Sequence, residues 1–490
     1  MSLPPPDWNR ALIRGDNLIE MRKMPDNVVA LIATDPPFNS KRDYFVPYRD
    51  EHGREPDSLV KAFTDTWSWG EAAEAACAEL IRDIGGVVGE TIEGLQLFLK
   101  RTPMMAYLVM MGVRLVEMHR ILKPSGSIYL HCDAAASHYL KLLMDAVFGH
   151  ANYRNEIIWR KYAGRKNNAK HKFATQTDTI LFYVKSKDAV FNPLFEPISD
   201  KEIEKKYRYT DDDGRRYRLS WGRHYQMTGE QRRIYLDEQP GAAIGSLWAE
   251  DGLQLNTSTK ERAGYPTQKP IALYKRIIQA SSHEGDLVVD PFCGCGTTLL
   301  AAESLNRRWL GIDLTYLATG AVRLQVEKFF PRLKDSIVIT GTPEDAATAL
   351  QLAREDPGGF EEWCVTHVLK FTANAKKVRD GGIDGTYRFP IGKVRGRNAY
   401  GKMVAQVKGG NCNLGHIRDF RTAMANAQAD LGIFVVTRKP STGMRAEASR
   451  AGLWQHPVWN MECPRLQLYE IQDYFAGTEP KIPIGERRVL

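Results

Sequence analysis

The sequence predicts an α/β protein of more than one domain, and three observations carry that expectation. Residues 1 to about 185 alternate β-like apolar runs with helical patterns, the alternation returns after Pro270, and the last 130 or so residues begin again with their own helix, turn and strands. Alternation of this kind predicts a parallel sheet covered by helices. At 490 residues the chain exceeds one ordinary core, so two or three domains are expected.

Taken in order, VVALIAT, GSIYLHC and DTILFYV read as strands, and YLVMMGVRLVEMHRIL reads as a helix. The longest apolar run, MMAYLVMMGV between Arg101 and Arg114, is about half the length a bilayer requires, so it is expected as a core helix. From about 187 to 250 the pattern gives way to charge, tyrosine and glycine, the mark of an inserted segment. PIALYKRIIQASS then reads as a helix after Pro270, DLVVDPF as a strand, TTLLAAESL as a helix and RWLGIDL as a strand. The first and third blocks are expected to share one sheet. Residues 1–340 thus form the first domain, 341–356 a linker entered by the helical pattern EDAATALQLARE, and 357–490 a second domain.

Composition narrows the function classes. The amino-terminal MSLPPPDWNR has no basic segment followed by an apolar stretch, and seven cysteines, an odd number, lack disulfide spacing, so a reducing cytoplasm is expected and no membrane partner. Cys293 and Cys295 have no second pair at zinc-ribbon distance. The net charge of +8 is concentrated in stretches such as 160–172 and 205–219, where basic residues alternate with tyrosines as a phosphate backbone with nearby bases would suit; a solvated face explains either stretch equally well.

Two turns stand out. TDPPFNS, Thr34 to Ser40, ends an apolar strand on a carboxylate, two prolines and an aromatic ring. LVVDPFCGCGTT puts Asp290 at a strand end, then Phe292, Gly294 and Gly296, then a helix whose amino terminus adds a positive field. Asp313 ends the next strand, where an acid can accept hydrogen bonds from ribose hydroxyls. Neither GxGxxG nor GxxxxGK[ST] is present, which leaves a nucleoside cofactor without a polyphosphate.

DPPF together with DPFCGCGTT resembles the amino-methyltransferases of DNA, and the match continues through HRILKPSGSIYLHCD, NEIIWRKY and YPTQKP. The resemblance implies a Rossmann-like fold in the permuted order called β, S-adenosylmethionine as cofactor, double-stranded DNA as substrate and 187–250 as the target-recognition segment. It further implies that Asp290, Phe292, Gly294 and Gly296 hold the cofactor and Asp313 its ribose. Asp16 is a candidate for the adenine end, and Thr267 and Lys269 for the methionine end; a turn aspartate and a helix cap are the structural alternatives for Asp16 and Thr267.

An exocyclic amine is a poor nucleophile, because its lone pair is delocalised into the ring. Hydrogen bonds from its N–H groups to the Asp35 carboxylate and the Pro36 carbonyl would free that lone pair, with Pro36 and Pro37 stiffening the turn. Phe38 supplies a face for a base flipped out of the duplex. Aspartate in this motif favours adenine N6, while cytosine N4 remains the alternative.

In the last block, Asp384 follows a glycine pair, and Gln406 and Lys408 share one side of a strand. This resembles the PD-(D/E)xK nucleases of the Mrr-like branch. The resemblance implies Mg²⁺ bound by Asp384 and Gln406, with Lys408 placing the attacking water and Glu362 as a weaker candidate. The combined expectation is a bifunctional restriction-modification protein, with a homodimer and a partner restriction or motor subunit as possible associates. The alternative is a solitary methyltransferase whose tail only binds DNA or another protein.

Overall fold

The computed structural model describes residues 8–37, 42–47, 59–65, 67–161, 171, 173–221, 223–254, 261, 268–333, 336–373, 382–394, 397–457 and 461–483. Phe38, Thr267 and most of the basic stretch 160–172 lie outside the described residues.

The chain opens with β1 (Ala11–Arg14), α1 (Asn17–Lys23) and β2 (Val29–Thr34). The long apolar pattern forms α2 (Pro103–Ile121), capped by Thr102 with proline at its first position, and it is buried nearly all round, as its composition requires. Next come β3 (Leu122–Cys132), α3 (Ser137–Phe148), β4 (Tyr153–Arg160) and β5 (Thr177–Val184). Within 187–250 a small antiparallel sheet forms from β6 (Tyr209–Thr210), β7 (Arg216–Ser220) and β8 (Arg232–Tyr235), while β9 (Leu247–Trp248) rejoins the main sheet beside β4. The third block supplies α4 (Ile271–Ser281), β10 (Leu287–Asp290), α5 (Thr297–Ser304), β11 (Arg308–Asp313), α6 (Tyr316–Phe329) and β12 (Val338–Thr340).

These strands make one sheet in the order β9-β4-β5-β3-β2-β10-β11-β1-β12. The first and third blocks meet where Val288 and Val289 of β10 pair with Leu31 and Ile32 of β2. Side chains alternate between two cores: Ile32, Val289 and Ile312 face α1, α2 and α3, whereas Leu31, Val288 and Trp309 face α4, α5 and α6. One strand departs from the parallel expectation. β5 runs antiparallel to both β3 and β4. Its residues from Asp178 to Val184 are all buried, and a continuous apolar run carries no mark of direction.

The stretch 341–356 differs from the expected linker. It holds α7 (Ala346–Glu355), started by a reciprocal cap between Asp345 and Thr348, with Ala349 and Ala353 buried in the second core. Then α8 (Pro357–Trp363) and β13 (Thr372–Ala373) lead into β14 (Gly385–Val394), β15 (Arg397–Lys408), α9 (Leu414–Asn426), β16 (Leu431–Val436), α10 (Thr442–Ser449) and β17 (Leu466–Glu470). The five strands form a mixed sheet in chain order, β14 and β15 antiparallel and β15, β16 and β17 parallel. The two domains touch through Tyr316 at the start of α6: it is buried in the core of the second domain, with Ala349, Phe360 and Ala405, and the Arg14 guanidinium lies over its ring at 4.2 Å.

Candidate active site

β2 and β10 are parallel neighbours, so their carboxyl ends, Thr34 and Asp290, lie side by side, where ligands bind in open α/β sheets. A cavity of about 350 Å³ opens there, lined on one side by Asp35, Pro36 and Pro37 and on the other by the glycine-rich turn and Asp313. Its size is within the range of about 300 to 1,000 Å³ usual for small-ligand sites. The turns that sequence reading singled out 255 residues apart, at Asp35 and Asp290, therefore form one wall each of a single site.

Asp290 ties the walls together. Thr34 Oγ1 donates to its Oδ1 at 2.7 Å, Thr298 Oγ1 donates to its Oδ2 at 2.6 Å, and the Phe292 N–H donates to Oδ1 at 3.1 Å. Burial pushes this carboxyl up to about 6, against the lowering effect of those bonds. Both of its oxygens are thus committed to the protein, and Asp290 shapes the site as the joint between β2 and α5.

The turn that follows needs its glycines. Gly294 and Gly296 have φ of +49° and +82°, and a Cβ on Gly296 would meet Val322 Cγ2 at 2.9 Å. The Gly294 N–H donates to Asp313 Oδ2 at 3.0 Å, while Asp313 Oδ1 accepts from the Thr315 N–H and hydroxyl at 3.0 and 3.1 Å. Gly296→Ala should cost about 1 to 2 kcal/mol for the left-handed backbone alone, with the Val322 clash in addition. Thermal melts of the two proteins check this; a loss no larger than the backbone cost would mean that Val322 yields freely, and equal midpoints would mean that the turn relaxes out of the left-handed region.

Asp16 serves as the amino-terminal cap of α1, accepting from the Leu18 N–H at 2.8 Å, and its two oxygens also face Arg114 Nη2 at 3.0 and 3.1 Å. The structural alternative for this residue is realised, with an arginine from α2 that the sequence reading passed over. Arg114 Nε also donates to Asn17 Oδ1 at 2.6 Å, and Asn17 Nδ2 donates to the Pro291 carbonyl at 2.6 Å. Arg114 could have been suspected as the charge that closes the apolar run of α2.

Lys269 is 8% exposed, and its Nζ donates to Asp35 Oδ2. The structure thus brings it to the residue expected to handle the base, 234 positions away. The other oxygen, Asp35 Oδ1, is buried and has no hydrogen-bond donor among the described residues. Two further residues beside it were not singled out. His131, at the end of β3, sets Nδ1 3.6 Å from Asp35 Oδ1, and its Nε2 lies 3.2 Å from Asp178 Oδ2 on β5. Asp178 also pairs with Lys161.

In the second sheet, the Asp384 N–H donates to the Ala405 carbonyl at 2.8 Å and its Oδ2 accepts from the Val407 N–H at 2.7 Å. The carboxylate therefore closes the end of the β14-β15 ladder. Gln406 is 7% exposed with its Oε1 buried and without a partner among the described residues. Glu362 belongs to α8, whose Phe360 and Trp363 pack with Ala405 and Val407, the face of β15 opposite Gln406 and Lys408. Among the described residues no group of three or more His, Cys, Asp or Glu is placed to hold a metal. The Asp384 carboxylate is engaged by the Val407 N–H and Gln406 offers a neutral amide oxygen, so the two expected ligands bring a single charge between them, and the Mg²⁺ expected from the sequence has no support among the described residues.

The family is shown by its model: the chain belongs to the N6/N4 DNA methylase family, which matches residues 29–316. It is 33% identical over 259 residues to the type II methyltransferase M.EcaI of Enterobacter cloacae, covering 44% of this chain and 56% of that protein. The chain therefore spans little more than half the length of that relative. The DNA adenine methyltransferase YhdJ of Escherichia coli (strain K12) is 26% identical over 331 residues, 66% of this chain and 84% of its own. Among solved structures, the cytosine-N4-specific PvuII DNA methyltransferase overlaps 69% of this chain and 98% of its own, at 14% identity and a TM-score of 0.37. Residues 359–475 match the model of a NACHT-associated inactive restriction endonuclease family, in place of the Mrr-like branch that the sequence resemblance implied.

Proposed function

We propose that this chain methylates an exocyclic amine in double-stranded DNA with S-adenosylmethionine as methyl donor, with adenine N6 as the preferred target. The observation that carries this reading is the buried Asp35 Oδ1, an acceptor without a donor on the wall of the cavity that the glycine-rich turn completes. A buried carboxylate oxygen left in that state is costly, and an amine N–H is the donor that would satisfy it. Pro36 and Pro37 hold the acceptor in place before the base arrives. The sequence YhdJ shares with this chain, from a protein named an adenine methyltransferase, supports adenine over cytosine.

The residues present fit the cofactor. Gly294 and Gly296, in the left-handed region that glycine adopts freely, leave backbone open to a ligand, and Phe292, Asp313 and Lys269 line the same cavity, which supports their expected part in holding it. When bound, it supplies an activated methyl group on sulfur. Thr267 and Phe38 keep the roles expected of them, the first at the methionine end and the second as a stacking face for the flipped base. Segment 187–250 reads the target: Tyr209, Tyr217 and Tyr235 line up across its small sheet, with Arg233 over the Tyr217 ring at 4.9 Å.

We assign the second domain, 357–490, a binding role and no cleavage. The match to an inactive family and the engagement of Asp384 with Val407 support this alternative over the Mg²⁺-dependent endonuclease. The case for a homodimer, which rested on two nuclease sites, lapses with it. A restriction activity in the same system would have to come from a partner subunit, and the cytoplasm is the compartment that a DNA substrate implies.

DNA treated with the protein and cofactor, then sequenced by a method that detects modified bases, should carry N6-methyladenine at one short sequence. Absence of any modified base would remove the central claim. The same full-length protein with Mg²⁺ and unmethylated DNA should leave the DNA intact, and Asp384→Ala and Lys408→Ala should change nothing. Cleavage lost in either variant would restore the endonuclease.

A further inference from the structure

We propose that His131, held by Asp178, takes up from the Asp35 carboxylate the proton shed by the target amine. The inference rests on the methyltransferase reading of the site. It is built from one row of the main sheet. Thr34 pairs with Leu130, so Asp35 and His131 follow as neighbours at the ends of β2 and β3, and His131 pairs with Ile180 on β5, two residues from Asp178.

His131 is 2% exposed, and the edge of Trp159 closes one side at 5.5 Å between ring centres, with the two planes at 88°. Its Nε2 faces Asp178 Oδ2 at 3.2 Å, and its Nδ1 faces Asp35 Oδ1 at 3.6 Å. Among the described residues, the charged groups paired with these two are Asp35 from the end of β2, Asp178 from β5, Lys161 from the end of β4 acting on Asp178, and Lys269 ahead of α4 acting on Asp35. Burial alone would raise the Asp178 carboxyl, yet the bonds and charges of His131 and Lys161 outweigh it and hold it at about 2. Asp178 is therefore an anion at any working pH, and the imidazole tautomer that gives its Nε2–H to that anion leaves the Nδ1 lone pair towards Asp35.

Methylation makes this arrangement useful. The target nitrogen forms one N–C bond and must lose one N–H proton, so a proton leaves the nitrogen for each methyl group received. Asp35 Oδ1 accepts it first. His131 Nδ1, 3.6 Å further on, accepts it next, and the resulting imidazolium lies between two carboxylates. The proton then returns to water when the site opens. Without His131 the carboxylate would hold the proton itself, and a neutral Asp35 is a poorer acceptor for the next amine.

The two ring nitrogens can be tested separately. His131→Asn keeps a polar atom near the Nδ1 position and loses the link to Asp178; His131→Gln does the reverse; Asp178→Asn keeps the ring and removes the buttressing charge. Steady-state methyl transfer to total DNA should fall roughly 10- to 100-fold in His131→Gln and Asp178→Asn, while the first turnover is spared, a loss that reaches the lower end of what positioned acid-base groups contribute. Cofactor affinity should stay within about twofold, which also shows that the variants fold, and His131→Asn should lose as much rate as His131→Gln, because neither amide can take up the proton. The pH-rate profile of Asp178→Asn should differ from that of wild type, because the buried anion beside the proton-accepting ring is gone. A wild type that binds cofactor and transfers no methyl group overturns the reading of the whole site. A wild type that transfers it, with His131→Gln and Asp178→Asn matching its rate and its profile, overturns the role of His131 alone.

Discussion

Asp35→Ala should lower single-turnover methyl transfer by on the order of 10³ while cofactor affinity holds within about threefold. The reason is the division of labour across the cavity: the glycine-rich wall has its own hydrogen bonds through Asp313 and Gly294, and none of them passes through Asp35. The variant also removes the carboxylate that the buried Lys269 Nζ now bonds, so some stability is lost with the activity. Asp35→Asn separates the two effects. It keeps one acceptor oxygen and the shape of the turn, and an intermediate loss on the order of 10² is expected. Radiolabelled methyl transfer beside cofactor titration measures both quantities, and a rate for Asp35→Ala equal to wild type would exclude the carboxylate from the chemistry.

Asp290 should make the protein lose stability as pH rises through the weakly acidic range. Its ordinary value is 3.8 and burial raises it to about 6, so the folded state holds the proton more tightly than the unfolded chain does. The contribution is therefore complete below 3.8 and gone above about 6. A shift of this size corresponds to about 3 kcal/mol, of which roughly half is already present at pH 5. Asp290→Asn mimics the protonated acid at every pH. Its new amide can donate to Thr298 Oγ1, which then turns to the Ala33 carbonyl 3.4 Å away. Denaturant midpoints at pH 5 and pH 8 should show the variant gaining on wild type by more than 1 kcal/mol between the two. Parallel curves would mean that Asp290 stays ionised in the fold.

Much of the site was legible because its parts are local. A carboxylate, two prolines and a ring after an apolar run, and FxGxG between a strand and a helix, each carry their geometry within a few residues. The helix boundaries at Pro270 and Thr297 were read for the same reason, since proline and glycine fix backbone angles on the spot. The direction of β5 was not legible, because an unbroken apolar run looks alike from either end. The helical pattern in EDAATALQLARE was visible, whereas the burial of Ala349 and Ala353 against the second sheet was not, because small residues match a linker as well as a close contact.

Polar commitments were the hardest to read. Asp16 pairs with Arg114, Lys269 lies on Asp35 and Asp384 closes a ladder, and none of these partners is written in the residues around them. His131 sat in view within GSIYLHC, with nothing in its neighbours to set it apart. The sequence by itself determined which chemical groups stand at the strand ends and in what order along the chain, and that was enough for the class of reaction. Only the tertiary structure decided which partner each charge takes, because strand order sets what lies beside a given strand end. Thr34 meets Asp290, and Asp35 meets His131 and Lys269, through a sheet whose neighbours are far apart in the chain.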